Sequence, residues 1–295
     1  KKVVAIRHPM PYGDLVKQKV QRFATISDLK KHKCTIEEME EYEPHVARGN
    51  VIYAGVDYEA IVREAEKEAD VILWDGGNND NPFYKADLVI TVVDPHRPGH
   101  ELSYFPSLTN ILLADIIVIN KIDSATPENI KAVRENVKKF NPKAIIIEAA
   151  SPVALDKPED MKLIEGKKIL VVEDGPTLTH GEMKFGAGTI AAQKFGAKEL
   201  VDPRKYAVKS ISETYAKYPD IGILLPAMGY GDKQVKDLET TINKVPCDAV
   251  IIGTPIDLRR IVKIKKPCAR ISYDLQEIGR PNLTDILTKM FGKKK

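Results

Sequence analysis

Short runs of apolar, largely β-branched residues recur along the chain, and segments with helical periodicity separate them. Most of these runs are apolar at every position, and the clearest begin at Val3, Val71, Ile116 and Ala249. A strand that is apolar on both faces fits a parallel sheet that helices cover on either side. The alternation therefore predicts an α/β fold with a doubly wound, mostly parallel sheet.

Helix-start signals lie between several of the runs. Thr35 and Glu38 have the spacing of a capping box, Asp57 can cap the helical pattern that follows it, and Pro127 suits the first turn of another helix. Residues 283–291 have the pattern of an amphipathic helix. Each of these signals predicts where a helix begins.

The second half of the chain continues the alternation. The apolar run 221–225 predicts one of its strands. A seam rich in proline and charge lies at 152–168 and indicates a boundary between domains. We therefore expect a nucleotide-binding region over 1–155 and a further C-terminal α/β region over 156–295.

Composition limits the class of protein. With 43% hydrophobic and 29% charged residues, the chain has the material for a buried core and is not disordered. The 45 Lys and Arg nearly balance the 42 Asp and Glu, for a net charge of +3, which argues against a nucleic-acid binder. No apolar run is long enough to cross a membrane. Three widely spaced cysteines suggest a reducing, cytoplasmic location, and the Lys- and Glu-rich composition leans toward a thermophile.

The run that begins at Val71 ends in Asp75, Gly76 and Gly77. A carboxylate at the end of a buried strand, followed by glycines, is typical of a Walker B position, where Asp75 would hold Mg²⁺ and the glycines would let the backbone approach a phosphate. An ordinary Asp-Gly turn is the alternative interpretation.

The run that begins at Ile116 ends in Asn120, Lys121, Ile122 and Asp123. Asn-Lys-x-Asp after a strand is the base-reading motif of guanine-nucleotide-binding proteins. Asp123 can accept two hydrogen bonds from the guanine edge, a pair that adenine does not offer. Lys121 would lie over the base, and Asn120 would tie neighbouring loops together. A plain strand-turn is the alternative.

The next strand ends in Ala149, Ala150 and Ser151, where guanine-nucleotide proteins place a loop whose backbone N–H meets the base. A loop that starts a helix is the alternative interpretation. The chain has no GxxxxGK[ST] phosphate-binding loop. We expect that this loop lies just upstream in a longer protein. The alternative is a natural chain that has lost the loop and does no phosphoryl chemistry.

Several long loop segments together resemble one known family, namely segments 6–15, 75–101, 120–123, 174–188 and 254–262. The chain resembles, over essentially its whole length, the cyclic 2,3-diphosphoglycerate synthetase-like proteins, which are also described as predicted P-loop GTPases. They are similar to MinD and dethiobiotin synthetase. The resemblance implies a longer protein with an N-terminal domain and a Walker A motif. It also implies ATP-driven closure of a phosphoanhydride in 2,3-bisphosphoglycerate.

Roles carry over from this family only where residues match. Asp75 matches its Walker B acid, Gly77 matches its phosphate-facing glycine, and Asn120, Lys121 and Asp123 match its base motif. The Walker A lysine and the hydroxyl ligand of Mg²⁺ have no counterpart in this sequence. The family's ATP and the guanine motif point to different nucleotides, so GTP and ATP both stay open.

Two loops at predicted strand ends could clamp an anionic substrate. One carries Arg7 and His8, and the other carries His96, Arg97 and His100. Arg and His are suitable donors to a phosphorylated acid, and prolines stiffen both loops. Solvated loop residues are the alternative. His45, among charged helical residues, is expected at the surface.

The segment 174–188 is expected to be a long loop that leads into a helix. Thr179 and Lys184 are candidate anion ligands, and His180 is a candidate general acid or base. Gly186 and Gly188 could let backbone N–H groups face an anion at the helix start. The catalytic candidates are therefore Asp75, His180, Arg97 and His100.

Three functions remain open from the sequence. The first is a Mg²⁺-dependent, nucleotide-driven synthetase or phosphotransferase acting on a small phosphorylated acid. The second is a regulatory or switch-type GTPase. The third is a non-catalytic fragment. By resemblance to related P-loop proteins, we also expect a possible homodimer.

Overall fold

The computed structural model describes residues 1–9, 14–76, 80–81, 83–179, 183–229 and 231–292. Contacts divide the chain into two compact units. The first unit consists of Lys1–Asp75 and Val153–Ser272, and the second consists of Gly76–Pro152 and Tyr273–Lys295. Each unit takes residues from both predicted regions. The division into 1–155 and 156–295 therefore stays a prediction and does not describe these units.

The strands of the described residues are short. They are β1 (Val3–Arg7), β2 (Gln21–Phe23), β3 (Val51–Ala54), β4 (Val71–Trp74), β5 (Ile90–Val93), β6 (Ile116–Ile119), β7 (Ile145–Ala150), β8 (Val153–Leu155), β9 (Lys168–Asp174), β10 (Glu199–Leu200), β11 (Leu225–Ala227), β12 (Ala249–Gly253), β13 (Cys268–Tyr273) and β14 (Gln276–Ile278).

Helices separate most of these strands. They are α1 (Ile26–Lys31), α2 (Ile36–Ala47), α3 (Tyr58–Glu66), α4 (His100–Ser103), α5 (Ser107–Leu113), α6 (Pro127–Phe140), α7 (Gly175–Thr179), α8 (Ala187–Lys194), α9 (Ser210–Lys217), α10 (Asp232–Lys244) and α11 (Leu283–Phe291). Within the described ranges, none of the helices combines the length and apolar character needed to cross a membrane.

The first unit contains two sheets. One has the strand order β2-β3-β1-β4, and its pairs are parallel except for β2 with β3. The other has the order β10-β9-β12-β13-β8, with β11 also paired to β9, and β9 and β12 pair in parallel at its centre. The second unit has one sheet in the order β14-β7-β6-β5, parallel except for the pair of β14 with β7. The predicted α/β class with mostly parallel strands is confirmed.

Helix α2 contacts the hydrophobic cores of both sheets in the first unit. Ile36 packs in the core around β9 and β12, whereas Tyr42 and Val46 pack in the core under β1 and β3. Met39 contacts both cores. The position of α2 therefore depends on both sheets at once.

The helix-start signals behave as the sequence predicts. Thr35 Oγ1 accepts a hydrogen bond from Glu38 N at 3.2 Å, and Glu38 Oε2 accepts one from Thr35 N at 2.8 Å. Asp57 caps α3 through Ala60 N at 2.9 Å, and Pro127 is the first residue of α6. These contacts satisfy N–H groups that have no partner inside the helix.

The strand predicted at 221–225 is wrong, because the strand begins only at Leu225. The carbonyl of Ile221 accepts a hydrogen bond from Arg204, and Gly222 N donates to Lys184 O at 2.9 Å. These backbone groups bond outside the sheet, so the apolar run turns before it pairs.

A buried carboxylate, Glu173, joins β9 to the start of α8. Only 2% of Glu173 is exposed. Its oxygens accept hydrogen bonds from Gly186 N at 3.1 Å, Gly188 N at 3.1 Å, Thr189 N at 2.8 Å and Thr189 Oγ1 at 3.0 Å. The sequence predicts that this glycine-rich helix start faces an anion, and here the anion is the protein's own carboxylate.

Glycines leave the space that the Glu173 carboxylate occupies. A Cβ on Gly186 or on Gly253 would lie 2.7 Å from Glu173 Oε2. A Cβ on Gly188 would lie 2.8 Å from a methyl group of Val171. Burial raises the pKa of Glu173, while the bonds from Thr189 and the glycine amides oppose that rise. The carboxylate is thus a structural tie between strand and helix.

We expect Glu173→Ala to lower the free energy of unfolding by roughly 3 kcal/mol, because it leaves several buried donors without an acceptor and opens a cavity. Urea denaturation measures this change. The matched control is Glu199→Ala, since Glu199 is an exposed residue of the same sheet. A loss for Glu173→Ala no larger than for the control would contradict this account.

Candidate functional site

The carboxyl ends of β5, β6 and β7 lie side by side in the second unit, because the three strands pair in parallel. Asp94 follows β5, Asn120 follows β6 and Ser151 follows β7. Ligands of open α/β sheets bind at this kind of edge. The predicted base-reading residues are therefore brought to one place.

Asp94 lies at the end of β5, the outermost strand of this sheet, and accepts hydrogen bonds from three groups. Its Oδ2 accepts hydrogen bonds from Lys121 Nζ at 2.8 Å and from Arg97 Nη2 at 3.2 Å, and its Oδ1 accepts one from His96 N at 3.0 Å. Burial raises the pKa of Asp94, but the Lys121 charge and these hydrogen bonds outweigh burial and hold the pKa below its usual value. Asp94 is not among the site residues predicted from the sequence, although its position directly after a strand was a signal.

The turn after β6 is tied to the end of β7. Asp123 Oδ1 accepts a hydrogen bond from Ser151 N at 2.9 Å, and Ile122 N donates to Ala149 O at 3.1 Å. Lys121 adopts a left-handed conformation with φ of 58°. Such a conformation is uncommon outside glycine, so these contacts must hold the turn.

Asn120 and Ala150 complete this edge. Asn120 N donates to Val93 O at 3.1 Å, which links the ends of β5 and β6. Among the described residues, no group bonds to Asn120 Oδ1, which is buried. Ala150 is buried at the end of β7. An unused buried acceptor indicates that a donor from a ligand or a loop belongs there.

The histidines of the loop after β5 have separate contacts. His96 Nε2 lies 2.9 Å from Ser124 Oγ, next to the Asn120–Asp123 turn. His100 begins α4, and its ring packs against Tyr104 with centroids 4.8 Å apart. His96 and Arg97 thus belong to the Asp94 edge, whereas His100 packs on its own helix.

In the first unit, Arg7 and Asp75 lie at the ends of the adjacent parallel strands β1 and β4. Arg7 Nη1 donates to Asp75 O at 3.1 Å and lies 3.5 Å from Asp75 Oδ2, while Nη2 lies 2.7 Å from Glu41 Oε2. His45 Nε2 lies 2.8 Å from Asp75 Oδ2. The surface position expected for His45 is wrong, because its side chain is mostly buried against Asp75.

Burial and charge shift these carboxyl groups in opposite directions. Burial raises the pKa of Asp75, but the hydrogen bond with His45 and the charge of Arg7 lower it by a larger amount. The pKa is therefore below its usual value, and Asp75 stays ionised. Burial raises the pKa of Glu41 above its usual value, and Arg7 only partly offsets that rise. Arg7 is therefore already engaged by two carboxyl groups.

Mg²⁺ commonly binds to one or two carboxylates together with nucleotide phosphates and water. Asp75 lies at a strand end, where it could be a single carboxylate ligand of Mg²⁺, although its Oδ2 faces His45 and Arg7. Within the described ranges, no group of three His, Cys, Asp or Glu side chains could hold a metal ion. Any Mg²⁺ here would depend on oxygens from the nucleotide. Gly76 is exposed next to Asp75.

Helix α2 brings further carboxyl groups toward Asp174, the last residue of β9. Glu40 is 8% exposed, and burial together with the neighbouring Asp174 holds its pKa well above the usual value. The charges of Glu37 and Glu41 add to this effect. The ends of β1, β4 and β9 thus face a helix that is acidic and not the cationic clamp that the sequence predicts.

The other predicted site residues are dispersed. Thr179 is buried at the end of α7, and its Oγ1 donates to Gly175 O at 3.0 Å. Lys184 is exposed, and His8 is partly buried after β1. Gly77 and His180 lie outside the described residues.

We expect the stability of the chain to fall as the pH rises above about 4.5, the usual pKa of a glutamic acid. The raised pKa of Glu40 means that the folded chain binds this proton more tightly than the unfolded chain does. Glu40→Gln should therefore flatten this dependence in urea unfolding from acid to neutral pH. Glu59→Gln, on the exposed face of α3, is the control. An unchanged slope in Glu40→Gln would contradict the assignment.

A family model for the CobW/HypB/UreG nucleotide-binding domain matches residues 62–148, a range that includes Asp75, Asp94 and the Asn120–Asp123 turn. The chain is 66% identical over 286 residues to arginine synthetase ArcE of Thermococcus kodakarensis. The aligned residues cover 97% of this chain and 63% of that protein.

Two further relatives are cyclic 2,3-diphosphoglycerate synthetases. The protein of Thermococcus sibiricus is 35% identical over 117 residues, covering 39% of this chain and 26% of that protein. The protein of Methanothermus fervidus is 28% identical over 131 residues, covering 42% and 27%. This chain thus spans less than two thirds of the length of each relative. The chain is homologous to arginine synthetase ArcE and to the cyclic 2,3-diphosphoglycerate synthetases, and its residues 62–148 match the nucleotide-binding domain of the CobW/HypB/UreG type.

Proposed function

We propose that this chain is part of a nucleotide-driven synthetase whose product is arginine. The observation that carries the proposal is the 66% identity to arginine synthetase ArcE, which extends over 97% of the chain and so includes both compact units. The cyclic 2,3-diphosphoglycerate synthetases match only 39% and 42% of the chain. Likeness over the whole chain supports a shared reaction better than likeness over one region.

The ion pairs of Arg7 and Arg97 also favour arginine over a phosphorylated acid as the molecule that this protein acts on. A bisphosphoglycerate needs cationic donors that are free to bind it. Arg7 is paired with Glu41 and Asp75, and in the second unit Arg97 is paired with Asp94. Two of the predicted anion ligands are therefore already neutralised by carboxyl groups of the protein.

The nucleotide base would bind at the carboxyl ends of β5, β6 and β7. Asp123 is exposed there and is held in place by Ser151 N. It can accept hydrogen bonds from the N1–H and amino group of guanine. Lys121 lies beside it, fixed by Asp94, and could cover a base with its aliphatic stem. Asp75, in the first unit, is a separate candidate ligand for Mg²⁺, an ion that neutralises phosphate charge in phosphoryl transfer.

A phosphorylated acid is the second candidate substrate. The relatives named cyclic 2,3-diphosphoglycerate synthetase favour it. Its donors would then be Arg7, His8 and Lys184 in the first unit, or His96 and Arg97 in the second. A switch-type GTPase is a further alternative, which the Asn120–Asp123 turn favours. A synthetase should consume nucleotide only when its acceptor is present, whereas a switch should turn over slowly without one.

The product test uses the full-length protein with Mg²⁺ and either GTP or ATP. A mixture of amino-acid precursors is supplied in one reaction and 2,3-bisphosphoglycerate in the other. We expect arginine to form together with an equal amount of nucleoside diphosphate, measured by mass spectrometry. Cyclic bisphosphoglycerate without arginine would contradict the proposal and support the second candidate. Nucleotide turnover that needs neither acceptor would support the GTPase.

The base-reading test compares GTP and ATP binding by the full-length protein and its Asp123→Ala variant. We expect the variant to bind GTP at least about tenfold more weakly, because a bidentate bond to an ionised acceptor is lost. Asp87→Ala, outside the edge, is the control. A preference for ATP that is unchanged in the variant would show that the turn after β6 has a structural role only.

A further inference from the structure

Carboxyl groups of α2 gather with Asp75 and Asp174 at the ends of β1, β4 and β9 in the first unit. We call this group the acidic cluster; it consists of Glu37, Glu40, Glu41, Asp75 and Asp174. Arg7 contacts the cluster through Glu41 and Asp75, and His45 contacts it through Asp75. The cluster is therefore rich in carboxyl oxygens that can accept hydrogen bonds.

Glu40 marks where the cluster has an unused acceptor. It is 8% exposed, and among the described residues no group donates a hydrogen bond to its Oε1. Its carboxyl is hydrogen-bonded to Asp174, which requires a proton on one of the two carboxyl groups. Buried polar atoms are almost always bonded, so Oε1 indicates a donor that binds from outside the chain.

Metal ions do not match the spacing of these oxygens. Mg²⁺ and Ca²⁺ need oxygens that converge within about 2.0–2.6 Å of one point. Within the described ranges, no three acidic or histidine side chains are arranged to hold a metal. Oxygens that are more widely spread suit an organic cation with several N–H donors.

A guanidinium group has that character, since it is planar and carries five N–H donors that suit carboxylates. Arg7 already shows this chemistry here: its guanidinium bridges Glu41 at 2.7 Å and the carbonyl of Asp75 at 3.1 Å. The side chains of Glu41 and Asp75 are 32% and 34% exposed, so solvent reaches one edge of the cluster.

We propose that the acidic cluster binds the guanidinium group of arginine, with Glu40 and Asp174 as its acceptors. Arg7 would keep Glu41 and Asp75 in place beside it. This inference rests on the proposed function, since arginine is taken from there as the product. It goes beyond that proposal by placing the binding site of the guanidinium group at α2 and the end of β9.

The experiment titrates arginine into the 295-residue chain by calorimetry and compares Glu40→Gln with Glu43→Gln. Both residues are buried glutamates of α2, but Glu43 pairs with Arg260 outside the cluster. We expect Glu40→Gln to weaken arginine binding at least about tenfold, because an amide cannot give up a proton to become the carboxylate that pairs with the guanidinium charge. Glu43→Gln should weaken arginine binding by less than about twofold, because Glu43 lies outside the cluster. Asp174→Asn is the second variant and should act like Glu40→Gln.

Two results would overturn the inference. One is arginine binding that survives in both Glu40→Gln and Asp174→Asn while urea denaturation shows both variants folded. The other is a wild-type chain that binds inorganic phosphate but not arginine. Neither result bears on which product the full-length protein makes, so the product test above fails or succeeds separately.

Discussion

The position of α2 is the constraint on which the first unit depends. Its apolar residues belong to the cores of two different sheets, so the helix cannot shift without opening one of them. The same helix carries Glu40, Glu41 and His45 to the ends of β1, β4 and β9. Packing thereby holds several carboxyl groups together that would otherwise repel and move into solvent.

Two kinds of carboxylate result from this architecture. Glu173 is fully supplied with donors by α8 and therefore acts as a structural tie. Glu40 is also buried, but no group in the described part of the chain donates to its Oε1. Asp94 in the second unit is of the first kind, because it orders Lys121 and Arg97 beside the base-reading turn. The number of bonded donors thus separates structural carboxylates from candidate ligands.

Local patterns were enough to predict most strands, the capping box of Thr35 and the family itself. They also assigned Asp123 and Ser151 to the same base-binding loops, since both follow parallel strands, and the two residues are hydrogen-bonded in the structure. Contacts between residues far apart in the sequence could not be predicted from local patterns. Arg7 and Asp75 are 68 residues apart, and the sequence patterns assigned them separate roles. His45 and Glu40 were not predicted to be buried, because a glutamate-rich helix has the pattern of a solvated one, and only contact with two sheets buries it.

A structure of the full-length protein with arginine bound tests the central claim most directly. The account predicts density for the guanidinium group against Glu40 and Asp174, with Arg7 still paired to Glu41 and Asp75. Arginine bound elsewhere, or a phosphorylated acid held by Arg7 after its ion pairs have opened, would contradict it.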